Sequence, residues 1–418
     1  MRTAATHLTR RGALQGAAGA TALAAGLGIP AILRAQSDVI RIGHLTPLTG
    51  FLGPLGEYAV MSVKLAVEEL NAAGGVLGRQ IELLTEDSVN PPTASTKAQR
   101  MFERDGVTCI IGEISSASGL AIAEVAGRNK RLFINTGCNS DALRGSSCNR
   151  YMFHIEGANS MYVKACGRAL LRDGMVKGKK WFSLTADYAF GHDLFRVADR
   201  FVQQNGGEFI ANELVPTDTT DFSAFILKVR QNQPDLVVSN LAGNQITNFI
   251  KQYNEYQLPF EIAGFGFDTA TAWGAGPDAM KGVWPCIWYH TIELPSARTF
   301  TQAFTKRWGK PPENQAWGDY NGTKIVAQAM TETGSTDSGG LVQHFEKGAK
   351  FDIMKGREGY FRDWDHQIMM EMFTMTPKKK AEMADQWDLM TISEAVPGPG
   401  EDLQIIAPSK EENACTFA

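Results

Sequence analysis

The strongest constraint on this chain is an alternation of short apolar runs with amphipathic segments, played through twice along its length. Val39-Ile40-Arg41-Ile42-Gly43-His44-Leu45 reads as a strand, and residues 57–71 as a helix with Val60, Val63, Val67 and Leu70 on one face. Gly74-Gly75 stops that helix, and Pro91-Pro92 opens the next, where proline's missing N–H costs nothing. Strands at 81–84, 108–112 and 132–134 bracket a further helix at 116–129. The rhythm restarts with strands at 180–184, 208–210 and 235–239, separated by helices at 192–205 and 222–231 and followed by one at 245–256. Strand–helix–strand units of this kind demand mostly parallel sheets covered on both faces. The fold class is therefore α/β. Two such runs, divided by the loop-rich stretch 135–157, predict two doubly wound lobes. That suits a chain of 418 residues, long for a single core.

The first residues follow a different plan. Thr9-Arg10-Arg11-Gly12-Ala13-Leu14 gives a basic start, an Ala/Gly-rich apolar run reaches Leu33, and a small-residue site stands at Ala35-Gln36. This is the layout of a secretory signal, and the paired arginines resemble a twin-arginine signal. Residues 1–35 are expected to be removed on export to the periplasm, with cleavage near Ala35. Four of the 41 basic residues and none of the 45 acidic ones lie there, so the remainder carries 37 against 45, a balance of −8. A chain that acidic is a poor partner for nucleic acid or an anionic membrane surface. The six cysteines show no CxxC and no metal-ligand spacing; Cys138 and Cys148 are close enough in sequence to close a short loop, and buried thiols are the alternative.

In open parallel sheets a ligand sits beyond the carboxyl ends of the strands. Two loops qualify. Gly112-Glu113-Ile114-Ser115-Ser116 leads from a strand into a helix, where free N–H groups and the hydroxyls of Ser115 and Ser116 suit a carboxylate; a plain serine cap explains the same residues. Asn135-Thr136-Gly137-Cys138-Asn139-Ser140 follows the neighbouring strand and would stand beside it. In the second run Tyr188 begins a helix after a strand, while Asn240, Gly243 and Asn244 either meet a ligand or cap a helix.

Several stretches resemble the leucine/isoleucine/valine-binding protein family: Ile42-Gly43-His44-Leu45-Thr46-Pro47-Leu48-Thr49-Gly50, the run from Glu69 to Arg79, Ile111 to Ser116, Asp187-Tyr188-Ala189-Phe190-Gly191, and Asp221-Phe222-Ser223. The likeness runs in order over about 38–375. It implies a type I periplasmic-binding-protein fold of two Rossmann-like lobes joined by three crossover strands. Lobe 1 would span 39–157 plus 290–362, lobe 2 158–289 plus 363–390, and 391–418 would form a surface tail. It also implies a monomer that carries a small anionic or zwitterionic solute, an amino acid of the branched-chain kind, to an ABC permease in the inner membrane, with no cofactor. The family's carboxylate clamp falls on Ser116, Gly137, Cys138 and Asn139, its side-chain pocket on Leu55, Ile114 and Ser115, and its amine-pairing acid on Asp268. Phe190 stands where many members have tyrosine, and a phenyl ring accepts no hydrogen bond from an ammonium. If neither Asp268 nor Asp187 faces inward, an aromatic or aliphatic carboxylate without an amine becomes the ligand.

Enzyme readings lack their signatures. Ser116-Ala117-Ser118-Gly119 is not a GxSxG elbow, the seven histidines form no HExxH, and Asp363-Trp364-Asp365 is too short for a calcium loop. No metal is expected, an exported hydrolase is not favoured, and a receptor's sensory module lacks a spanning segment after the lobes.

Overall fold

A computed structural model describes residues 39–413 and 415–417, so the expected leader lies outside the described residues. The first run forms β1 (Val39–Thr46), α1 (Gly53–Ala72), β2 (Gln80–Asp87), α2 (Pro91–Glu103), β3 (Cys109–Gly112), α3 (Ser116–Asn129), β4 (Leu132–Asn135) and β5 (Met152–His154). Its strands pair in the order β2-β1-β3-β4-β5, all parallel. The second run forms α4 (Asn159–Arg172), β6 (Lys180–Ala186), α5 (Ala189–Gln204), β7 (Glu208–Val215), α6 (Ser223–Asn232), β8 (Leu236–Asn240), α7 (Asn244–Glu255) and β9 (Glu261–Gly264). These strands pair as β7-β6-β8-β9, again all parallel.

The sequence explains both sheets locally. Cys-Ile-Ile-Gly of β3 and Leu-Phe-Ile-Asn of β4 are buried at every position, as strands covered on both faces must be. In α5 the buried residues Phe190, Leu194, Val197, Ala198 and Val202 recur at helical spacing and leave the opposite face to solvent. Asn90 caps α2 by accepting from Thr93 N at 3.0 Å, ahead of two prolines.

The chain beyond β9 is shared between the two sheets. α8 (Thr269–Ala275) and β10 (Trp284–Cys286) continue the second, and then come α9 (Pro295–Trp308), α10 (Asn314–Thr333) and α11 (Ser338–Glu346). α10 packs on α1 and β3, which returns the chain to the first sheet. β11 (Lys350–Phe351), β12 (Gly359–Phe361) and β13 (Ile368–Met369) make a small antiparallel sheet; β14 (Phe373–Pro377) and β15 (Met390–Ile392) make another with β10. The chain thus passes between the halves three times: after β5, after β10 and between β13 and β14. At the last two passages Lys355, buried, donates to the backbone oxygens of Ile287 and Glu371.

Two expected boundaries shift. The division at 362/363 falls inside the β12–β13 hairpin, where Tyr360 faces Met369 and Phe361 faces Ile368. His154 also bridges to Gln367, so this segment joins the first sheet. The tail is not a loose surface segment either: β15 pairs with β14, Ile406 and Ala407 are buried, and Lys164 of α4 holds Glu412 at 2.7 Å. Cys148 is not joined to Cys138. It is joined to Cys415, 267 positions away, while Cys109, Cys138, Cys166 and Cys286 are buried thiols. Replacing Cys415 by serine is expected to lower the unfolding free energy by about 2–4 kcal/mol, read by denaturant titration without reductant. Under reducing conditions the wild type should fall to the level of the variant.

Candidate functional site

The carboxyl ends of the two sheets face one another across a narrow cleft, closed down to a cavity of about 30 Å³. From the first half come Leu52 and Leu55 at the start of α1, Ile114 after β3, Gly137 and Asn139 after β4, Glu156 after β5, and Gln315 in the first turn of α10. From the second come Tyr188 and Phe190 around the start of α5, Leu241, Ala242 and Ile246 after β8, and Gly266, Phe267 and Asp268 after β9. Tyr162 of α4 completes the wall. Leu52, Leu55 and Ile114 share one apolar cluster with Phe190 and Ala242, so the halves are closed against each other. Tyr188 lies edge-on to Phe51 at 5.5 Å and tilted against Phe190 at 5.7 Å.

Two glycines make room for this packing. A Cβ at Gly266 would sit 2.8 Å from the Phe190 ring, and one at Gly137 only 2.4 Å from Gln315 Oε1. Leu55, Ile114, Gly137, Asn139, Tyr188, Phe190 and Asp268 therefore stand together on the cleft wall.

Ser115, Ser116 and Cys138 do not line it. Ser115 Oγ accepts from Ser118 N at the start of α3, the bland reading of that serine. The Ser116 hydroxyl is fully buried and accepts from Ser140 N at 3.2 Å, tying the two loops together. Cys138 directs its sulfur at Ser115 O. Asp187, the other expected amine partner, instead meets His192 at 2.8 Å on the surface. Asn240 donates to Ser183 within the second sheet and Gly243 precedes α7, while Asn244 lines a separate shallow groove. Phe190 and Phe267 reach the cleft, whereas Phe265, Trp288, Tyr289, Trp317 and Tyr320 are buried in the core.

The donors expected to hold a carboxylate are already engaged. Glu113, at φ 73°, folds its carboxylate back so that Oε1 accepts from Ile114 N at 3.0 Å and Ser115 N at 2.9 Å. Asn135 Oδ1 accepts from Gly137 N at 3.3 Å and Cys138 N at 2.8 Å. The Asn139 amide donates to Glu156 Oε1 at 3.1 Å and to Gly157 O at 3.3 Å. Each is a local solution to an orphaned N–H, and each takes a donor from the proposed clamp.

The acids are the larger surprise. Glu156, absent from the expected set, is 4% exposed, and its Oε1 also accepts from Tyr162 OH at 2.5 Å and Gly157 N at 2.7 Å. Burial pushes its carboxyl up to about 7, against hydrogen bonds from Tyr162 and Gly157 that favour the charge. Asp268 precedes α8 without capping it, which leaves its carboxylate to the cleft, and burial raises it to about 7 as well. Residues 135–157 looked like loop, so the three-residue strand that aims Glu156 was invisible; the rule that ligands meet strand ends would have found it.

A family model described as "Periplasmic binding protein" matches residues 39–382. The chain belongs to that family. Among its relatives, Leu/Ile/Val-binding protein homolog 8 of Brucella suis biovar 1 (strain 1330) is 27% identical over 325 residues, spanning 74% of this chain and 80% of that protein. A solved periplasmic binding protein from Burkholderia mallei superimposes with a TM-score of 0.83 at 27% identity, over 91% of this chain and 99% of that one. A branched-chain amino acid ABC transporter periplasmic ligand-binding protein from Burkholderia xenovorans LB400 does so with a TM-score of 0.77 at 25% identity, over 90% and 99%. The fold is accordingly the type I periplasmic-binding arrangement.

In this binding protein Glu113 is fully buried, and burial raises its carboxyl from the ordinary 4.5 to about 7. Such a group takes up a proton on folding, so its contribution to stability is whole below its unfolded value and is lost as pH rises through about 7. Glu113→Gln should therefore flatten the pH dependence, with stability relative to wild type rising from about pH 5 to about pH 8 in parallel urea titrations. A constant offset at both pH values would show that Glu113 does not take up a proton on folding.

Proposed function

We propose that the chain is the exported substrate-binding component of an ABC importer and that it captures an amino acid, branched-chain or related, between its lobes. The observation that carries this is Asp268, an uncapped carboxylate facing the cleft from the second sheet, opposite the loops of the first. A buried ammonium needs such a partner, since leaving it unpaired costs several kcal/mol. The names of the Brucella and Burkholderia relatives support the same solute class and the same transport role.

Residues 1–35 act as the twin-arginine-like leader, cleaved near Ala35. The mature protein works in the periplasm as a monomer, with an inner-membrane permease as its partner and no cofactor. Lobe 1 comprises 39–157 with 290–369, and lobe 2 comprises 158–289 with the strands of the third passage. Ligand docks between them and the lobes rotate about the three passages, so that Leu52, Leu55 and Ile114 close on Phe190 and Ala242. Closure is driven only by contacts that the open form does not make. A ligand that is a carboxylate without an amine fits less well, because Glu156 and Asp268 would both face an anion.

The test is a thermal-shift screen of residues 36–418 against amino acids and against carboxylates lacking an amine. A ligand at about 100 times its Kd stabilises the folded state by about 2.7 kcal/mol, a readable shift. Amino acids should score and plain carboxylates should not, and Asp268→Asn should weaken the best amino acid by about tenfold or more. Hits confined to plain carboxylates would overturn the proposal.

A further inference from the structure

We infer that Glu156 is a specificity-determining residue that selects a solute of net positive charge, one carrying a cationic nitrogen beyond the single ammonium that Asp268 would hold. The inference rests on the amino-acid reading above and narrows its solute class.

The cleft's hydrogen-bonding inventory is one-sided. Glu156 is fixed by three donors, Asn139, Tyr162 OH and Gly157 N, all converging on Oε1. Its Oε2 has no hydrogen bond among the described residues and belongs to a side chain on the cleft wall. Asp268 presents a second carboxylate from the opposite lobe. Gln315 spends its amide nitrogen on Asp319 and Thr136, which turns its carbonyl oxygen toward Gly137 at the cleft. Apart from the Tyr188 hydroxyl, the wall thus offers acceptors, while the backbone donors of the neighbouring loops are consumed by Glu113 and Asn135.

No lysine, arginine or histidine among the described residues lines this cleft. The nearby cations are turned elsewhere. Arg144 donates to the backbone oxygens of Cys138, Ser140 and Glu156 and to the Gln367 side chain, not to the Glu156 carboxylate. Lys355 donates to the backbone oxygens of Ile287 and Glu371. A zwitterion carries one positive group to two carboxylates and brings a third with it. A solute with two cationic nitrogens pairs both, and its aliphatic stem runs along Leu52, Leu55, Phe190 and Phe267.

Two sources share this chemistry, a basic amino acid and an aliphatic diamine. The experiment is calorimetric titration of residues 36–418 with lysine, ornithine, putrescine and cadaverine against leucine, valine and glutamine, in wild type and in Glu156→Gln. The expected result is that a dicationic ligand binds at least about tenfold more tightly than any neutral amino acid, and that Glu156→Gln removes most of that margin while neutral amino acids hold or gain. The amino acid and diamine arms then separate the two sources. Neutral amino acids binding as tightly as dications in the wild type would overturn the inference while leaving the amino-acid reading intact, and this comparison needs no variant to fold. An unchanged margin in a folded Glu156→Gln would overturn it too. A wild type silent toward every compound would sink both readings together.

Discussion

The cleft hangs on one buried cation. Arg144, fully enclosed, sends its guanidinium to Cys138 O at 2.9 Å, Ser140 O at 3.0 Å and Glu156 O at 2.7 Å, and to the Gln367 side chain. Those four partners belong to the loop after β4, the end of β5 and the hairpin that precedes the third passage. Burial lowers its affinity for a proton, and the charges of Asp141 and Glu156 offset only part of that. A group buried at such cost is retained only where its geometry is fully used. Here a planar fork with five donors ties the loop after β4, the end of β5 and the β12–β13 hairpin together beyond their strand pairing. The positions of Gly137, Asn139 and Glu156 on the cleft wall all depend on it.

The acids form the counterpart of that cation, without touching it through their carboxylates. Glu113 is held by the N–H groups that open α3, and Asp319 by Gln315 and by His44 at 3.1 Å. These groups lie behind the wall. Glu156 and Asp268 lie on it. Glu156 and Glu113 are almost equally enclosed, yet only the first belongs to the wall.

Much of this architecture was legible in the residues. Apolar runs such as Ile110-Ile111 and Val237-Val238 marked central strands, and Gly74-Gly75 and Pro91-Pro92 marked where helices stop and start, because those signals act within a few residues. The loops after β3 and β4 could be placed near a ligand because strand ends in parallel sheets converge. What could not be read was how donors and acceptors would pair once brought together. Ser116 looked like a ligand's hydroxyl but serves Ser140, and the N–H groups of Ile114 and Ser115 looked free but serve Glu113. The first pairing spans 24 positions and the second needs the left-handed turn at Glu113, neither of which an alternation of apolar runs reveals. The tail was opaque for the opposite reason. Its anchors, Cys148, Lys164 and Asp141, are hundreds of positions away.

That tail closes the chain into a covalent ring from Cys148 to Cys415, and the ring contains the whole of the second parallel sheet and all three passages between the halves. Any single cut in an exposed loop of that span, by a protease or by chemistry, opens the ring without dividing the molecule. Its two pieces stay joined, with the cleft's two walls on one covalent body, until the sulfur bridge is reduced. In a compartment where proteolysis is frequent and reductant scarce, such a chain can be nicked and still keep its parts.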